Sequence, residues 1–399
     1  MDLEMFGSGA TGALVPIHGT DPRRGPWEHR AFVPYGLPEA TPELSALTHL
    51  AVANARAALA ALDSTAKQLP NPRLLRHPTL RREAQSTSLL EGTYAPLSEV
   101  LMADDDAPQT LELREILNYV AMADQAFDWL EEGGQLSVAL LCQLQLRLVR
   151  ATPAEGSSSG DVRDIQVVVG QLSGASPTDL PVKSARFVPS PPGDDLRAHL
   201  QDLVSWMRVD RSECFDPVVA AAMSHYQFET IHPFHDGNGR LGRLLVVLSL
   251  YASGALSEPT LTVSPWFESR RTQYYDRLLA VSTRGDWDGW IQFFATGIRE
   301  SADMTHRQML AVASVQEGLK AQIRSSKLRA DSAHAVVDYA VAHPTFSVRG
   351  LQTDLGLSYG RANALVGQLV DLGVLAPLGD RAYNRRFHAP KVLAVLVDE

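Results

Sequence analysis

Residues 232–243 bring together the side-chain types that phosphate chemistry needs. They are a titratable base, a carboxylate, a glycine-rich turn and two arginines: His232, Asp236, Gly237, Asn238, Gly239, Arg240 and Arg243. The glycines allow positive φ and a close approach of the main chain to a ligand. Successive amides at the start of a helix form an anion-binding nest, which the helix dipole reinforces.

The side chains around this turn complete such a site. Arg240 and Arg243 offer forked donors to phosphate oxygens, and Asp236 is a hard oxygen ligand of the kind that Mg²⁺ prefers. His232 can take up a proton near neutral pH. Each feature alone is more typical of an ordinary turn. Their combination predicts phosphoryl or nucleotidyl transfer.

Helices must position this turn on both sides. Residues 216–231 have a helical apolar pattern, and Pro233 should end that helix and direct His232 toward the phosphates. The apolar run 244–248 predicts a buried helix that begins at the glycine turn, and Phe234 is expected to anchor the loop in the core.

Two more core helices are predicted after the turn, at 266–281 and 287–299. The first carries the aromatic pair Tyr274 and Tyr275. Such a pair is more often part of a core, but one ring could line an adenine pocket.

Composition places the chain among globular proteins of roughly two or three domains. Its 399 residues are 45% hydrophobic, and the net charge of -10 disfavours unspecific binding to nucleic acid or anionic membranes. Cys142 and Cys214 are predicted to be buried free thiols, as in a reducing cytosol. With no leader pattern and no apolar run longer than 244–256, we expect a cytoplasmic protein without a membrane partner.

The N-terminal part predicts an arm followed by helices. Residues 1–42 lack periodicity and indicate an extended arm, which residues 32–34 could pin to a helical body. Helices are predicted at 42–67, 79–90, 111–130 and 138–149, with an acidic loop at 104–110.

The helix at 79–90 ends unusually. Three small hydroxyl residues in a row, at 86–88, are unfavourable inside a helix. Glu91 follows where a negative charge opposes the helix dipole, and Gly92 is placed as a C-terminal cap. Residues that are locally unfavourable for a helix indicate a functional site. A solvated glutamate at a helix end would give the same pattern.

Two short strands are predicted at 165–169 and 185–189, joined by a loop rich in Gly, Ser and Pro. A hairpin here could pair with the main chain of a partner. It could equally be a plain hairpin that packs on helices.

The C-terminal part changes character after a polar helical connector at 305–327. Helices are predicted at 333–342, 348–355 and 358–372, and strands at 373–378 and 382–387, which is the order of a winged helix. The arginines that could meet DNA are Arg361, Arg381, Arg385 and Arg386. Because acids balance bases here, a dimerisation or target-docking module is equally favoured.

Three motifs resemble those of the Fic family. The stretch 232–243 matches in full the signature His-Pro-Phe-x-Asp/Glu-Gly-Asn-Gly-Arg-x-x-Arg, and 87–92 is similar to the inhibitory motif Ser/Thr-x-x-x-Glu-Gly/Asn. The predicted hairpin corresponds to the flap of the family, but its motif matches more loosely. Gln166-Val167-Val168-Val169-Gly170 stands where many members carry Gln-Asn-Trp-Ile-Gly. The resemblance covers about residues 30–305.

The resemblance implies an all-α fold, with a Fic-type helical core, a small β-hairpin flap and a C-terminal winged-helix domain. We predict an N-terminal arm and helices, including the inhibitory helix, at 1–110 and a catalytic core at 111–305. A helical connector at 306–330 and the winged helix at 331–399 follow.

The resemblance also implies a protein adenylyltransferase, which moves AMP from ATP to a Ser, Thr or Tyr hydroxyl of a target protein or of itself. His232 would be the general base and Asp236 the Mg²⁺ ligand. The residues expected to bind the nucleotide are Asp236, Gly237, Asn238, Gly239, Arg240, Arg243, Tyr274 and Tyr275.

Two further sets of residues would govern access and activity. The target would dock on Val167, Val168, Val169 and Gly170. The inhibitory set is Thr87, Glu91 and Gly92, with the Glu91 carboxylate occupying Arg243. The alternatives are removal of AMP or another transfer at the same site, and a nucleotide-sensing transcription regulator. A homodimer is compatible with each.

Overall fold

The computed structural model is predominantly helical, which confirms the predicted all-α class. It describes residues 1–22, 24–68, 75–104, 107–172, 174–176, 178–328, 331–379 and 385–397. The helices are α1 Ala46–Gln68, α2 Arg76–Leu90, α3 Leu97–Met102, α4 Leu111–Glu131, α5 Val138–Val149, α6 Pro181–Ser184, α7 Asp194–Arg208, α8 Pro217–Ile231, α9 Asn238–Ala252, α10 Ser264–Ser269, α11 Arg271–Arg284, α12 Trp287–Ser325, α13 Asp331–Ala342, α14 Val348–Asp354, α15 Tyr359–Asp371 and α16 Pro390–Val397. The strands are β1 Gly12–Asp21, β2 Gly25–Pro34, β3 Val169–Gln171, β4 Ala185–Phe187, β5 Phe346–Ser347, β6 Ala376–Leu378 and β7 Arg386–His388.

The predicted single helix at 266–281 is wrong, because α10 and α11 are separate. At Arg270, φ −124° and ψ 29° leave the helical region. The Arg270 guanidinium lies over the Trp266 ring and donates to Glu300 at 3.3 Å. Local periodicity could not reveal this break, since these contacts join the segment to a distant helix. Sequence analysis also did not place α3, α7 or α16.

The predicted N-terminal arm is a β-hairpin. β1 and β2 pair antiparallel over ten residues each, from Gly12 opposite Pro34 to Asp21 opposite Gly25. Phe32, one of the predicted anchors, is fully buried, and its amide donates to the Val188 carbonyl at 2.9 Å. The prolines and glycines in both strands hid the alternation on which strand prediction depends.

The chain divides into two compact units. The first contains residues 1–57, 121–255 and 266–300 and is called the catalytic unit after the predicted catalytic loop at 232–243. The second, called the C-terminal unit, contains residues 58–120, 256–265 and 301–399. These units do not follow the predicted domain boundaries. Helix α12, for example, continues without a break across the predicted boundary at 305.

The core of the catalytic unit is built on α8 and α9. The two helices approach closely at Gly242, where an added Cβ atom would lie 3.1 Å from the ring of Phe228 and would displace the Glu229 carboxylate. Fully buried His225 links this pair to α11: its Nδ1 donates to the Gly242 carbonyl at 3.0 Å, and its Nε2 accepts from the Tyr274 hydroxyl at 2.7 Å. Burial lowers the pKa of His225 to about 3, so its ring is neutral.

The C-terminal unit contains both α2 and a winged-helix arrangement. Helices α13, α14 and α15 accompany a sheet in the order β5-β7-β6, and α2 packs against α3 and α13. Arg82 on α2 donates to the Leu396 carbonyl at 3.4 Å. The predicted wing residue Arg381 and the predicted strand start at 382 lie outside the described residues.

The two cysteines are free thiols, as predicted. Cys142 is half-buried and Cys214 is exposed, so the predicted burial of Cys214 is wrong. Within the described residues, no helix is both long and apolar enough to cross a membrane.

Candidate active site

His232 occupies a constrained position at the end of α8. It adopts a left-handed conformation, with φ 51° and ψ 62°, and its amide donates to the Phe228 carbonyl at 2.9 Å. Such a conformation is costly for a residue with a side chain and persists where the surroundings hold it. Its Nδ1 lies 3.3 Å from the Glu229 carbonyl. That hydrogen bond requires the proton on Nδ1, which leaves the lone pair on Nε2.

Asn238 closes the loop between the two helices. Its Oδ1 accepts from the Phe234 amide at 2.9 Å, and its Nδ2 donates to the Phe234 carbonyl at 2.8 Å. Asn238 is 2% exposed and Phe234 is fully buried. Both polar ends of the Asn238 side chain are thus used to fix the loop, and its main-chain amide is the group that it can offer to a nucleotide. Phe234 is the core anchor that we expected.

The glycine turn forms the N-terminus of α9. Gly237 caps the helix with φ 84°, and a Cβ atom there would lie 2.6 Å from Leu148 Cδ2. The first amides of a helix have no intrahelical acceptor. The amides of Asn238, Gly239 and Arg240 are the first three of α9, as the predicted anion nest requires.

Charged side chains surround this turn. Arg240 is 4% exposed and donates to Asp236 Oδ1 at 2.9 Å, while the Asp236 side chain is 49% exposed. Arg243 is 1% exposed. His235, the second histidine of the loop, places Nε2 3.2 Å from Asp164 Oδ1. The structure therefore places the solvent-accessible carboxylate of Asp236 beside the largely buried Arg240.

Two residues that position the loop were missed by sequence analysis. Gln145 on α5 donates to the Asp236 carbonyl at 3.2 Å and accepts from the Gly160 amide at 2.6 Å. Arg163 is fully buried and binds main-chain carbonyls around His232. The only sequence signal for Arg163 was a charged residue between the apolar Val162 and the β-branched run at 165.

The flap is shorter than predicted. Pairing begins at Val169, opposite Phe187, and ends with Gln171 opposite Ala185. Val167 and Val168 lie before the strand, and Gly170 within it has φ 63°. The predicted strand at 165–169 is wrong because side chains take its first carbonyls: Arg163 Nη1 donates to Ile165 at 3.0 Å, and Gln166 Nε2 donates to Val167 at 2.9 Å.

The aromatic pair is divided between core and pocket. Tyr274 is fully buried and bonded to His225, so its predicted place in a nucleotide pocket is wrong. Tyr275 lines a pocket beside the flap. The wall of this pocket also includes Val169, Phe187, Glu229, Leu278 and Leu279. The pocket is mostly apolar, and Glu229 lies three residues before His232.

The predicted inhibitory segment lies in the C-terminal unit, at the end of α2. Thr87 and Ser88 are fully buried. The small side chains that looked unfavourable for a helix therefore suit its packing. Glu91 is exposed at the C-cap, and Gly92, with φ 98°, places its amide 3.0 Å from the Leu89 carbonyl. The helix end is held by its own main chain.

Few groups are available to a resident metal ion. Among the described residues, no cluster of three or more His, Cys, Asp or Glu could hold one.

Comparison with known protein families matches two regions of the chain. Residues 49–128 match the Fic/DOC family N-terminal model, and residues 135–250 match the Fic/DOC family model. The protein adenylyltransferase Fic of Culex quinquefasciatus is 32% identical over 222 residues, which cover 55% of this chain and 38% of that protein. The chain thus spans about two fifths of this curated relative's length.

Solved structures show the same fold at lower identity. A Fic family protein from Desulfovibrio desulfuricans G20 is 21% identical with a TM-score of 0.55, covering 88% of this chain and 98% of that one. A fragment of Fic-1 from C. elegans is 21% identical with a TM-score of 0.51, covering 67% and 74%. The chain therefore contains a Fic/DOC family N-terminal region at residues 49–128 and a Fic/DOC family domain at residues 135–250.

Proposed function

We propose that this protein transfers AMP from ATP to a hydroxyl group of a target protein, and of itself. The observation that carries the proposal is the loop from His232 to Arg243. It holds a histidine, a carboxylate and an open helix N-terminus in one fixed conformation. The matched relatives named protein adenylyltransferases support this activity.

The nucleotide is expected to lie between the helix N-terminus and the flap pocket. The amides of residues 238–240 and the guanidinium groups of Arg240 and Arg243 suit the phosphates. The apolar pocket with Tyr275, Phe187 and Leu278 suits a purine ring, which stacks on aromatic and aliphatic surfaces. Both regions belong to the catalytic unit.

Asp236 suits a magnesium ion that arrives with the nucleotide. Its carboxylate is half-exposed, and Arg240 holds only one of its oxygens at 2.9 Å. When bound, Mg²⁺ supplies positive charge that offsets the charge of the phosphates. The residue that would hold it is Asp236, and Arg240 keeps that carboxylate in place.

In the proposed reaction, the target hydroxyl oxygen attacks the α-phosphorus of ATP. A bond forms between these atoms, the bond to the bridging oxygen breaks, and pyrophosphate leaves. The hydroxyl proton passes to Nε2 of His232, the ring nitrogen that carries the lone pair in the tautomer required by the Glu229 carbonyl. The α9 amides and the two arginines stabilise the charge on the phosphates.

Glu91 is proposed to restrain this activity. A carboxylate paired with Arg243 would occupy the guanidinium that the γ-phosphate needs. ATP bound with a displaced triphosphate would present its α-phosphorus out of line with the hydroxyl, and such misplacement is costly. The exposed position of Glu91 at a helix end makes it removable without loss of the fold.

The experiment uses the Glu91→Gly protein with ATP labelled at either the α- or the γ-phosphate. Retention of the α label and loss of the γ label on protein indicates adenylyl transfer. Retention of the γ label would contradict it and indicate phosphoryl transfer. An AMP-modified target that loses its label on incubation would instead support AMP removal, the alternative at the same site.

The transcription-regulator alternative has less support from the winged helix. Arg386 is directed at the protein itself: it donates to Thr345 Oγ1 at 2.5 Å and pairs with Asp104 at 3.0 Å. Arg385 donates to Asn363 at 3.2 Å. A salt-dependent gel shift with the full-length protein tests this alternative, since phosphate contacts make affinity fall steeply with salt. A homodimer stays a prediction, to be tested by the mass of the protein in solution.

A further inference from the structure

Arg163 has no role in the activity described above, yet it is a charged side chain enclosed in the interior of the protein. It is fully buried, and burial lowers its pKa to about 10. It therefore stays protonated at neutral pH. Within the described residues, no carboxylate forms an ion pair with it, and its hydrogen bonds go to main-chain carbonyls.

One side of Arg163 holds the end of α8. Its Nε donates to the His232 carbonyl at 2.8 Å, and its Nη2 lies 3.5 Å from the Ile231 carbonyl. Its own amide donates to the Pro233 carbonyl at 2.9 Å. One residue thus binds three successive carbonyls at a helix end, where carbonyls lack intrahelical donors and a cation is favoured by the dipole.

The other side of Arg163 holds both ends of the flap. Nη1 donates to the Ile165 carbonyl at 3.0 Å, before β3, and Nη2 donates to the Ser190 carbonyl, after β4. The same guanidinium therefore links the segments before and after the flap to the main chain of His232. A shift of this group would change the distance between the two elements.

We infer that Arg163 is a positioning residue, which sets the geometry between His232 and the flap and so aligns the hydroxyl, the base and the α-phosphorus. This inference rests on the proposed function. Three features carry it: the left-handed conformation of His232, the burial of Arg163 and the divergent directions of its hydrogen bonds. A lysine could keep the charge, but one nitrogen cannot reach carbonyls on both sides.

The test compares Arg163→Lys with Arg197→Lys in full-length Glu91→Gly protein. Arg197 is a matched control on α7, where its side chain is 55% exposed. Because small misplacements are costly in this chemistry, we expect Arg163→Lys to lower kcat for α-labelled transfer about 100-fold. KM for ATP should change by less than about threefold, since the phosphate-binding groups remain. Arg197→Lys should behave like its parent.

A second variant keeps the inference testable where lysine perturbs the fold. Methylguanidinium added to Arg163→Ala should restore part of the lost kcat, and should not change Arg197→Ala. Unchanged kcat in Arg163→Lys would overturn the inference. A loss of ATP binding and thermal stability in proportion to activity, with no rescue, would show a merely structural role and would also overturn it.

Failure of the proposed function is distinguishable from failure of this inference. If the Glu91→Gly parent transfers no label, the proposed function fails. In that case the inference about Arg163 is tested by following the imidazole resonance of His232 by NMR. A shift of that resonance in Arg163→Lys, absent in Arg197→Lys, supports positioning by Arg163, and an unchanged resonance contradicts it.

Discussion

The loop at 232–243 and the segment at 87–92 were both recognised from motifs, but they are built differently. In the loop, Asn238, Arg163 and Gln145 fix the main chain through hydrogen bonds to its amides and carbonyls. In the segment, Glu91 extends from a helix end that its own main chain holds. The loop depends on side chains from neighbouring elements, whereas the main-chain hydrogen bonds that end α2 do not involve the Glu91 side chain.

This difference fits the two tasks proposed for these regions, transfer by the loop and restraint by Glu91. Transfer chemistry depends on groups that are already in place when the substrate binds, so a fixed loop is what it needs. Restraint depends on one charge that can be present or absent. The segment also lies in the C-terminal unit with the winged helix, whereas the loop lies in the catalytic unit. The two features can therefore be changed one at a time.

The largest effect is expected from His232→Ala. Loss of a general base should lower the rate of α-labelled transfer by roughly 10²–10⁴-fold, while ATP binding and thermal stability change little. The measurement is single-turnover labelling in the Glu91→Gly protein, with His235→Ala as the matched control. Full activity of His232→Ala together with loss in His235→Ala would reverse the assignment.

Asn238→Ala should weaken the fixed loop itself. It leaves the buried amide and carbonyl of Phe234 without their partners, so the free energy of unfolding should fall by about 2–4 kcal/mol. Urea unfolding measures this, and Asn54→Ala at an exposed position of α1 is the control. Equal stability of the two variants would mean that the loop is not held as described.

Acid should destabilise the core beneath the loop through His225. The unfolded histidine binds a proton near pH 6.5 and the folded one only near pH 3, so the free energy of unfolding falls as pH decreases between these values. At pH 4.5 this contribution is roughly 2–3 kcal/mol. His225→Gln should show a shallower dependence between pH 7 and 4.5 in denaturant unfolding. Parallel curves for the two proteins would rule out a neutral buried His225.

The smallest effect is expected from a substitution of Glu91, in the segment at 87–92. Glu91→Gly should raise self-labelling by α-labelled ATP on the order of tenfold, because Arg243 becomes available to the γ-phosphate. Glu91→Gln, which removes only the charge, should raise it as well, and adding His232→Ala should cancel the rise. Equal labelling of wild type and Glu91→Gly, at saturating ATP and Mg²⁺, would return Glu91 to the role of a solvated helix-end residue.

The chemistry of the motifs and most of the helices could be predicted from the amino-acid sequence alone. The helix at 138–149 was predicted at its observed ends, and the helix before His232 begins within one residue of the prediction. Helices can be predicted from sequence because their apolar residues recur at a regular spacing and their ends carry capping residues and prolines. The same locality explains why Phe234 was correctly expected in the core.

The roles of individual polar side chains depend on the three-dimensional fold. The Asn238 side chain faces the main chain of Phe234, Tyr274 is bonded to His225 in the core, and Arg163 joins carbonyls from three segments. The N-terminal hairpin likewise depends on pairing and packing partners far along the chain, such as Val188. A residue type fixes which hydrogen bonds a side chain can make, but the fold fixes which donors and acceptors lie within its reach.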